Sequence, residues 1–374
     1  MNVLLLGGTG PIGIHLTKVL SEKGVNVFVT SRKQHTNEAN ISYIQGNAKE
    51  DSFAKDILTS RKWDCVVDFM VYRTPELEKR IDILLGNTSQ YIFLSSSRVY
   101  ADSQTPITED TARLLDTTDD KKFIDSDEYA ICKAREEDVI YKSRYKNFTI
   151  LRPYITYAEN RLPLGVWEKE TWVHRLLQNK TLVLPSKFLS CATTICYGRD
   201  VANCMCEFIG NKQAIGQVYN ITSNYSHKWR EILDYYLQVF ETITKQKPNV
   251  IEVEGLRFGF KGLLLSFLTF GLYKSSRFSP YHLIYDREFN RRFDNSKLTQ
   301  LLPKCNFTDF QQHLGNCLRV FADNTHYDYT NWTWEAVQDK ISGDRTSLNL
   351  IPGISRKLKY LIIRYIIPKR YFTR

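Results

Sequence analysis

The chain has 374 residues, 43% of them apolar, with 51 Lys and Arg against 41 Asp and Glu, a formal net charge of +10. That is too long for one minimal domain, suits a nucleotide-binding domain with a second lobe, and excludes a chain too polar to build a core. The positive balance favours anionic partners, whether nucleotide diphosphates, nucleic acid or an acidic membrane surface, without choosing among them.

Asn2-Val3-Leu4-Leu5-Leu6 is a nearly unbroken apolar run, the pattern of a strand buried on both faces of a parallel sheet. Gly7-Gly8-Thr9-Gly10-Pro11-Ile12-Gly13 comes next. Ile12, Leu16, Val19 and Leu20 then recur at helical spacing, and Gly24 closes that helix before a second strand at Val27-Phe28-Val29. Glycines at 7, 10 and 13, set between a strand and a helix, turn the chain sharply and let the backbone approach a pyrophosphate. The phosphates then meet free N–H groups at a helix N-terminus. A dinucleotide is expected on Gly7, Gly10, Pro11, Ile12 and Gly13. At the end of the second strand an acid would hold the ribose hydroxyls of NAD, but the chain reads Thr30-Ser31-Arg32-Lys33. A small hydroxyl at Ser31 and a cation at Arg32 favour NADP(H), with NAD(H) as the alternative.

Further strands are expected at 41–47, Cys65–Phe69, Tyr91–Leu94 and Phe148–Leu151. Helices are expected at Asp51–Thr59, at Thr74–Leu85 with Pro75 at its first position, and from about Ser126 to Ser143. This alternation implies an α/β fold, a Rossmann-type doubly wound parallel sheet. Its ligands sit at the carboxyl ends of the strands, so the loops after Leu6, Phe69 and Leu94 face one crevice and Ser95-Ser96-Ser97 lies beside the cofactor. Tyr129 and Lys133, four apart, share a helical face.

Beyond 157 the alternation gives way to Pro-, Trp- and Arg-bearing segments, read as a smaller substrate-binding lobe over 158–340 after a nucleotide-binding domain over 1–157. A helix at Arg199–Phe208 and a strand at Gln217–Ile221 are expected to return to the sheet. The run 262–270 is strongly apolar, and 341–374 forms a basic amphipathic tail. Docking of that tail on its own protein or on a second subunit is expected ahead of its alternative, an anionic membrane surface. The eight cysteines contain no CxxC pair, so neither zinc nor a disulfide framework is indicated and a reducing compartment fits better. A strand at residue 2 leaves no room for a signal peptide, and no apolar run reaches the roughly 18 residues needed to span a bilayer. A cytoplasmic protein is expected.

With these residues in view, the chain resembles the extended short-chain dehydrogenase/reductase family, in particular its NAD-dependent nucleotide-sugar epimerase/dehydratase branch. Gly7-x-x-Gly10-x-x-Gly13, Leu94 to Tyr100, Tyr129-x-x-x-Lys133 and Leu151-Arg152-Pro153 carry the resemblance, with fainter support at 198–202 and 293–297. The resemblance implies a catalytic set of Ser96, Tyr129 and Lys133. Tyr129 would exchange a proton with a sugar hydroxyl, Ser96 would hold the same oxygen, and Lys133 would favour the phenolate and hold the nicotinamide ribose. It also implies Asn47 near the adenine, with Phe69 and Pro153 lining the cofactor. Family members that dehydrate sugars carry Asp-Glu where this chain has Ser97 and Arg98, which argues against a 4,6-dehydratase. The diphosphate cation usual before Asp200 is replaced by Thr193-Thr194, leaving Arg161, Arg175 and Arg199 as candidates, with Ser97 and Arg98 also facing substrate. A nucleotide-sugar 4-epimerase is the leading reading, and an NADPH-dependent 4-keto-reductase its closest rival. A non-catalytic nucleic-acid-binding or regulatory relative is the rival of another class, disfavoured because the cations outside the tail are dispersed and an intact Ser96, Tyr129 and Lys133 would be unexplained. A homodimer and no metal are further implications.

Overall fold

A computed structural model describes residues 1–256, 280–327 and 330–373, so the apolar run 262–270 lies outside the described residues. The chain forms two compact units from discontinuous segments. The first takes Met1–Asn160, Thr194–Ser226 and Arg292–His313, and the second takes Arg161–Thr193, His227–Arg291 and Leu314–Arg374. Thr194–Ser226 and Arg292–His313 thus return to the first unit from later in the chain.

The first unit is built on a seven-stranded parallel sheet: β1 (Asn2–Leu6), β2 (Asn26–Ser31), β3 (Ile41–Gln45), β4 (Trp63–Asp68), β5 (Thr88–Leu94), β6 (Phe148–Arg152) and β7 (Val218–Asn220). Their order is β7-β6-β5-β4-β1-β2-β3. The winding direction reverses between β1 and β4, where Leu6 lies opposite Asp68, and a reversal of this kind opens a crevice at the carboxyl ends. Its longer helices are α1 (Gly13–Glu22), α2 (Asp51–Thr59), α3 (Thr74–Gly86), α4 (Tyr129–Lys142) and α5 (Gly198–Phe208).

Alternation along β1 divides the core in two. Val3 and Leu5 join Leu16 and Leu20 of α1 and Met205 and Phe208 of α5. Leu4 and Leu6 join Leu77, Ile81 and Leu84 of α3 and Ile140 of α4. Each such side chain removed from water contributes about 1.5–3 kcal/mol before entropy is counted. The apolar run at the start of the chain thus reads as a strand covered on both sides. Two local expectations shift by a residue or more. Pro75 is the second residue of α3, and Glu76 caps the Arg73 N–H at 2.9 Å. Helix α4 starts only at Tyr129, capped by the Glu128 carboxylate on the Ala130 N–H at 2.8 Å.

In the second unit, helix Lys169–Leu177 precedes strand Leu182–Pro185, which pairs in parallel with Val250–Val253. Arg175, read as a candidate for a diphosphate, is fully buried here and belongs to an ion network. Its guanidinium reaches Asp339 at 2.8 Å, Glu335 at 2.9 Å and Asp344 at 3.1 Å. Lys180 meets Glu335 at 2.6 Å, and the Tyr360 hydroxyl donates to Asp339 at 2.7 Å. Burial opposes ionisation of Asp339, but Arg175, Tyr360, Thr346 and Lys180 together hold its carboxyl below the usual range. Strand pairing of Leu256 with Thr373 and bonds from Arg364 to the Gly343 and Asp344 carbonyls hold the end of the chain in the same unit. Residues 341–373 pack within this unit. Among the described residues, no helix is long and apolar enough to cross a membrane.

Arg175→Leu leaves Asp339 and Glu335 buried with one cation fewer, so it should destabilise the second unit by about 3–5 kcal/mol, read as a fall in the urea midpoint.

Candidate dinucleotide and catalytic site

The glycine turn is dictated by contact as much as by flexibility. Gly7 has φ +73°, its N–H donates to the Thr30 hydroxyl at 2.9 Å, and a Cβ there would lie 2.7 Å from the Met70 sulfur. At Gly13 a Cβ would stand 2.5 Å from the Gly8 carbonyl oxygen, so only glycine lets α1 pack this closely on the turn. Gly198, the first residue of α5, is held by the same logic against the Pro11 carbonyl, 2.4 Å from an added Cβ. Gly10 is different, because no atom lies within 4 Å of the place its Cβ would take. Helix α1 begins at Ile12–Gly13 with no side-chain cap on its first N–H groups. Open space over Gly10 and an uncapped helix N-terminus fit a pyrophosphate.

Around this turn the residues expected to hold the cofactor are placed as follows. Ile12 is buried in the core, while Pro11 is half-buried. The Ser31 hydroxyl lies 3.0 Å from the His35 ring nitrogen and accepts from the Lys33 N–H, and Arg32 is exposed. The Asn47 side chain is occupied locally, accepting from the Lys49 N–H and donating to Glu50. Phe69 follows β4 half-buried, its N–H on the Leu6 carbonyl at 3.0 Å. Pro153 follows β6, and its carbonyl accepts from the Ser97 N–H at 2.9 Å.

The three serines after β5 face three ways. The Ser95 hydroxyl donates to the Glu137 carboxylate. Ser97 is fully buried and donates to the Arg152 carbonyl at 2.8 Å, so it supports the loop and presents no surface to a substrate. Ser96 caps a single turn by accepting from the Arg98 N–H at 3.2 Å. Arg98 lies over the Tyr129 ring, 5.2 Å from its centroid, and pairs with Glu128 at 2.7 Å, so its charge is spent on α4. Tyr129 is half-buried at the start of α4. Among the described residues, no hydrogen bond joins Ser96 to Tyr129.

Lys133 is almost wholly buried, with its ammonium 2.8 Å from Glu136, 3.3 Å from the Met70 carbonyl and over the Phe93 ring at 4.3 Å. Burial works against its charge, but Glu136, Tyr129 and Asp68 outweigh it and raise the Lys133 pKa. Asp68, at the end of β4, is itself buried; burial raises its pKa against hydrogen bonds from the Tyr91 hydroxyl at 2.8 Å and the Tyr72 hydroxyl at 2.9 Å. Beside it, Glu137 holds Arg152 at 2.6 and 2.8 Å, and Arg152 bonds the Tyr100 hydroxyl at 2.6 Å. Sequence reasoning missed Asp68, Glu136 and Glu137. The signal available was two adjacent acids three and four residues after Lys133, one turn further along the same helix.

The remaining cations separate. Arg199 stands exposed in the first turn of α5, next to the Gly198 that meets the glycine turn. Arg161 belongs to the second unit, where its guanidinium pairs with Glu168 at 2.7 Å. Among the described residues, no group of three or more His, Cys, Asp or Glu is arranged to hold a metal ion.

A nucleotide fold, a glycine turn open at Gly10 and a Tyr-x-x-x-Lys helix define a dinucleotide-dependent class of protein, and the comparisons narrow it. The model of the NAD dependent epimerase/dehydratase family matches residues 3–222, and the chain belongs to that family, of the extended short-chain dehydrogenase/reductase type. The chloroplast stem-loop binding protein of 41 kDa b from Arabidopsis thaliana is 26% identical over 237 residues, 59% of this chain. The match spans 58% of that relative's length. An epimerase from Methanothermobacter thermautotrophicus has the same fold, with a TM-score of 0.64 and 17% identity over 86% of this chain and 92% of that one. So has a UDP-glucuronic acid 4-epimerase from Bacillus cereus in complex with UDP-glucuronic acid and NAD, with a TM-score of 0.60 and 16% identity over 86% and 99%.

Gly10 and Gly13 should respond oppositely to alanine. Gly13→Ala should destabilise the first unit by about 1–3 kcal/mol through the clash with Gly8, seen as a lower thermal midpoint. Gly10→Ala should leave the midpoint unchanged yet weaken dinucleotide binding about tenfold or more, a loss of about 1.4 kcal/mol, by titration calorimetry.

Proposed function

We propose that the chain is an NAD(P)-dependent enzyme acting on a nucleotide-activated sugar, a 4-epimerase that oxidises one sugar carbon and reduces it again from the other face. The observation that carries this reading is the buried Lys133 ammonium, kept charged by Glu136 on the helix that begins with Tyr129. A nicotinamide bound at the glycine turn would supply hydride acceptance and return. Tyr129 takes the proton of the sugar hydroxyl on oxidation and gives it back on reduction. Lys133 lies four residues further on along the same helix and sets a positive charge on the face that carries Tyr129. Ser96 positions the same sugar oxygen. Lys133 acts mainly through charge, since its ammonium already has protein partners. With Ser97 buried and Arg98 paired, neither position supplies the carboxyl pair that water loss from the sugar would need.

NADP(H) is our reading over NAD(H), because the end of β2 carries Ser31 and the exposed Arg32 and no acid. That same feature favours a second reading, a 4-keto-reductase with Tyr129 as acid, since net reduction consumes NADPH. A homodimer belongs to the proposal in either case. Mass spectrometry of nucleotide released on denaturation, followed by NADPH and NADH titration, tests these readings together. Cofactor that co-purifies supports the epimerase, an empty protein that binds NADPH supports the reductase, and binding of neither overturns both. That last outcome would turn attention to RNA, as the similarity to a stem-loop binding protein suggests. Tyr129→Phe should lower turnover about a hundredfold to ten-thousandfold with cofactor affinity intact.

Glu136 gives a pH test. Its removal takes away the charge that raises the Lys133 pKa, so Lys133 loses its proton at lower pH. In Glu136→Gln the alkaline limb of the activity profile should move to lower pH, and Glu136→Asp should restore it.

A further inference from the structure

From Arg345 to Arg374 the sequence holds eight cations and no acid, so this stretch supplies most of the net charge of +10. It is also where apolar side chains remain exposed. Of the twelve large apolar side chains exposed among the described residues, six fall between Leu348 and Ile366. Helix Ile354–Leu361 and the turn Ile362–Ile366 dock through Tyr360, Ile363 and Ile367, which are buried. Ile354 and Leu358 are four residues apart and share the face turned away from that contact, 78% and 51% exposed, with Ile366 continuing it at 67%. At about 100° per residue, Lys357 and Lys359 lie on either side of this stripe. A helix that only needed to dock would leave polar residues outside, and a face for RNA would not need exposed isoleucine.

We propose that this face rests on an anionic lipid bilayer, with Ile354, Leu358 and Ile366 in the headgroup–acyl boundary and the flanking cations on anionic headgroups. Charge complementarity selects the occupant. Cations beside an apolar stripe, with no acid in thirty residues, match the two attractions that hold an interfacial helix, apolar burial and anionic headgroups. Long lysine stems reach the headgroups while the stripe enters the acyl boundary. The contact is monotopic and does not depend on the proposed enzyme activity.

The 374-residue chain is sedimented with vesicles of phosphatidylcholine, alone or mixed with phosphatidylglycerol, at matched ionic strength. Binding is expected only to the mixed vesicles. The charge-conserving variant Ile354→Ser/Leu358→Ser/Ile366→Ser alters exposed residues alone and should lose about tenfold or more in partitioning with an unchanged circular dichroism spectrum. Lys357→Gln/Arg370→Gln should weaken binding and flatten its salt dependence. Three results would overturn the proposal: equal binding to both vesicles or to neither, serine-variant binding like that of the parent, or a parent dimer that the serine variant converts to monomer without lipid. The last would assign the face to a second copy of the chain.

Discussion

Glu136 and Glu137 are adjacent on α4 and neither retains exposed side-chain surface. A carboxylate stripped of water is tolerated only with a close cationic or hydrogen-bonding partner. Glu136 has Lys133 one turn back, and Glu137 has Arg152 from β6 and the Ser95 hydroxyl from the end of β5. The Glu137–Arg152 pair and the Ser95 bond fix α4 against the sheet at the height where the chain leaves β5 and β6. That fixes where Tyr129 begins its helix and where the serine loop turns.

Chemistry and packing share these residues. Glu136 and Tyr129 favour the charged form of Lys133 despite its burial. Arg152 ties Glu137 to Tyr100, and the Tyr100 hydroxyl continues to Asn220 on β7 at 2.8 Å. Helix α4 is thus connected through hydrogen bonds to a strand supplied by a segment more than sixty residues further on. Such a network is sensitive to loss of any one member, since each leaves the others buried without a partner.

The second unit uses the same device for another purpose. Arg175, Lys180, Glu335 and Asp339 bind helix Trp332–Ser342 to the helix and strand that open the unit. Tyr360 then extends the network to the basic helix near the end of the chain. Docking by that single face satisfies the helix's polar contacts and leaves its apolar stripe outside.

Much was legible locally. The run Asn2–Leu6, the glycines at 7, 10 and 13 and the strand–helix alternation to Leu151 are short-range patterns whose periodicity determines strand, turn or helix. Helix α2 at Asp51–Thr59 and the return of 199–208 and 217–221 to the sheet could be read for the same reason. Candidate site residues Ser96, Tyr129 and Lys133 were visible as spacing, but their surroundings were not. Whether Ser97 faced a ligand or the Arg152 carbonyl, and whether Arg175 met a diphosphate or Asp339, depended on residues from 55 to 164 positions away. Charge partners of that range leave no period in the chain. By itself the sequence determined which segments become strands and helices and where the glycine turn must lie, because those follow from neighbours in the chain. Only tertiary structure decided which cations are available, since a buried charge takes the nearest acid that the fold delivers.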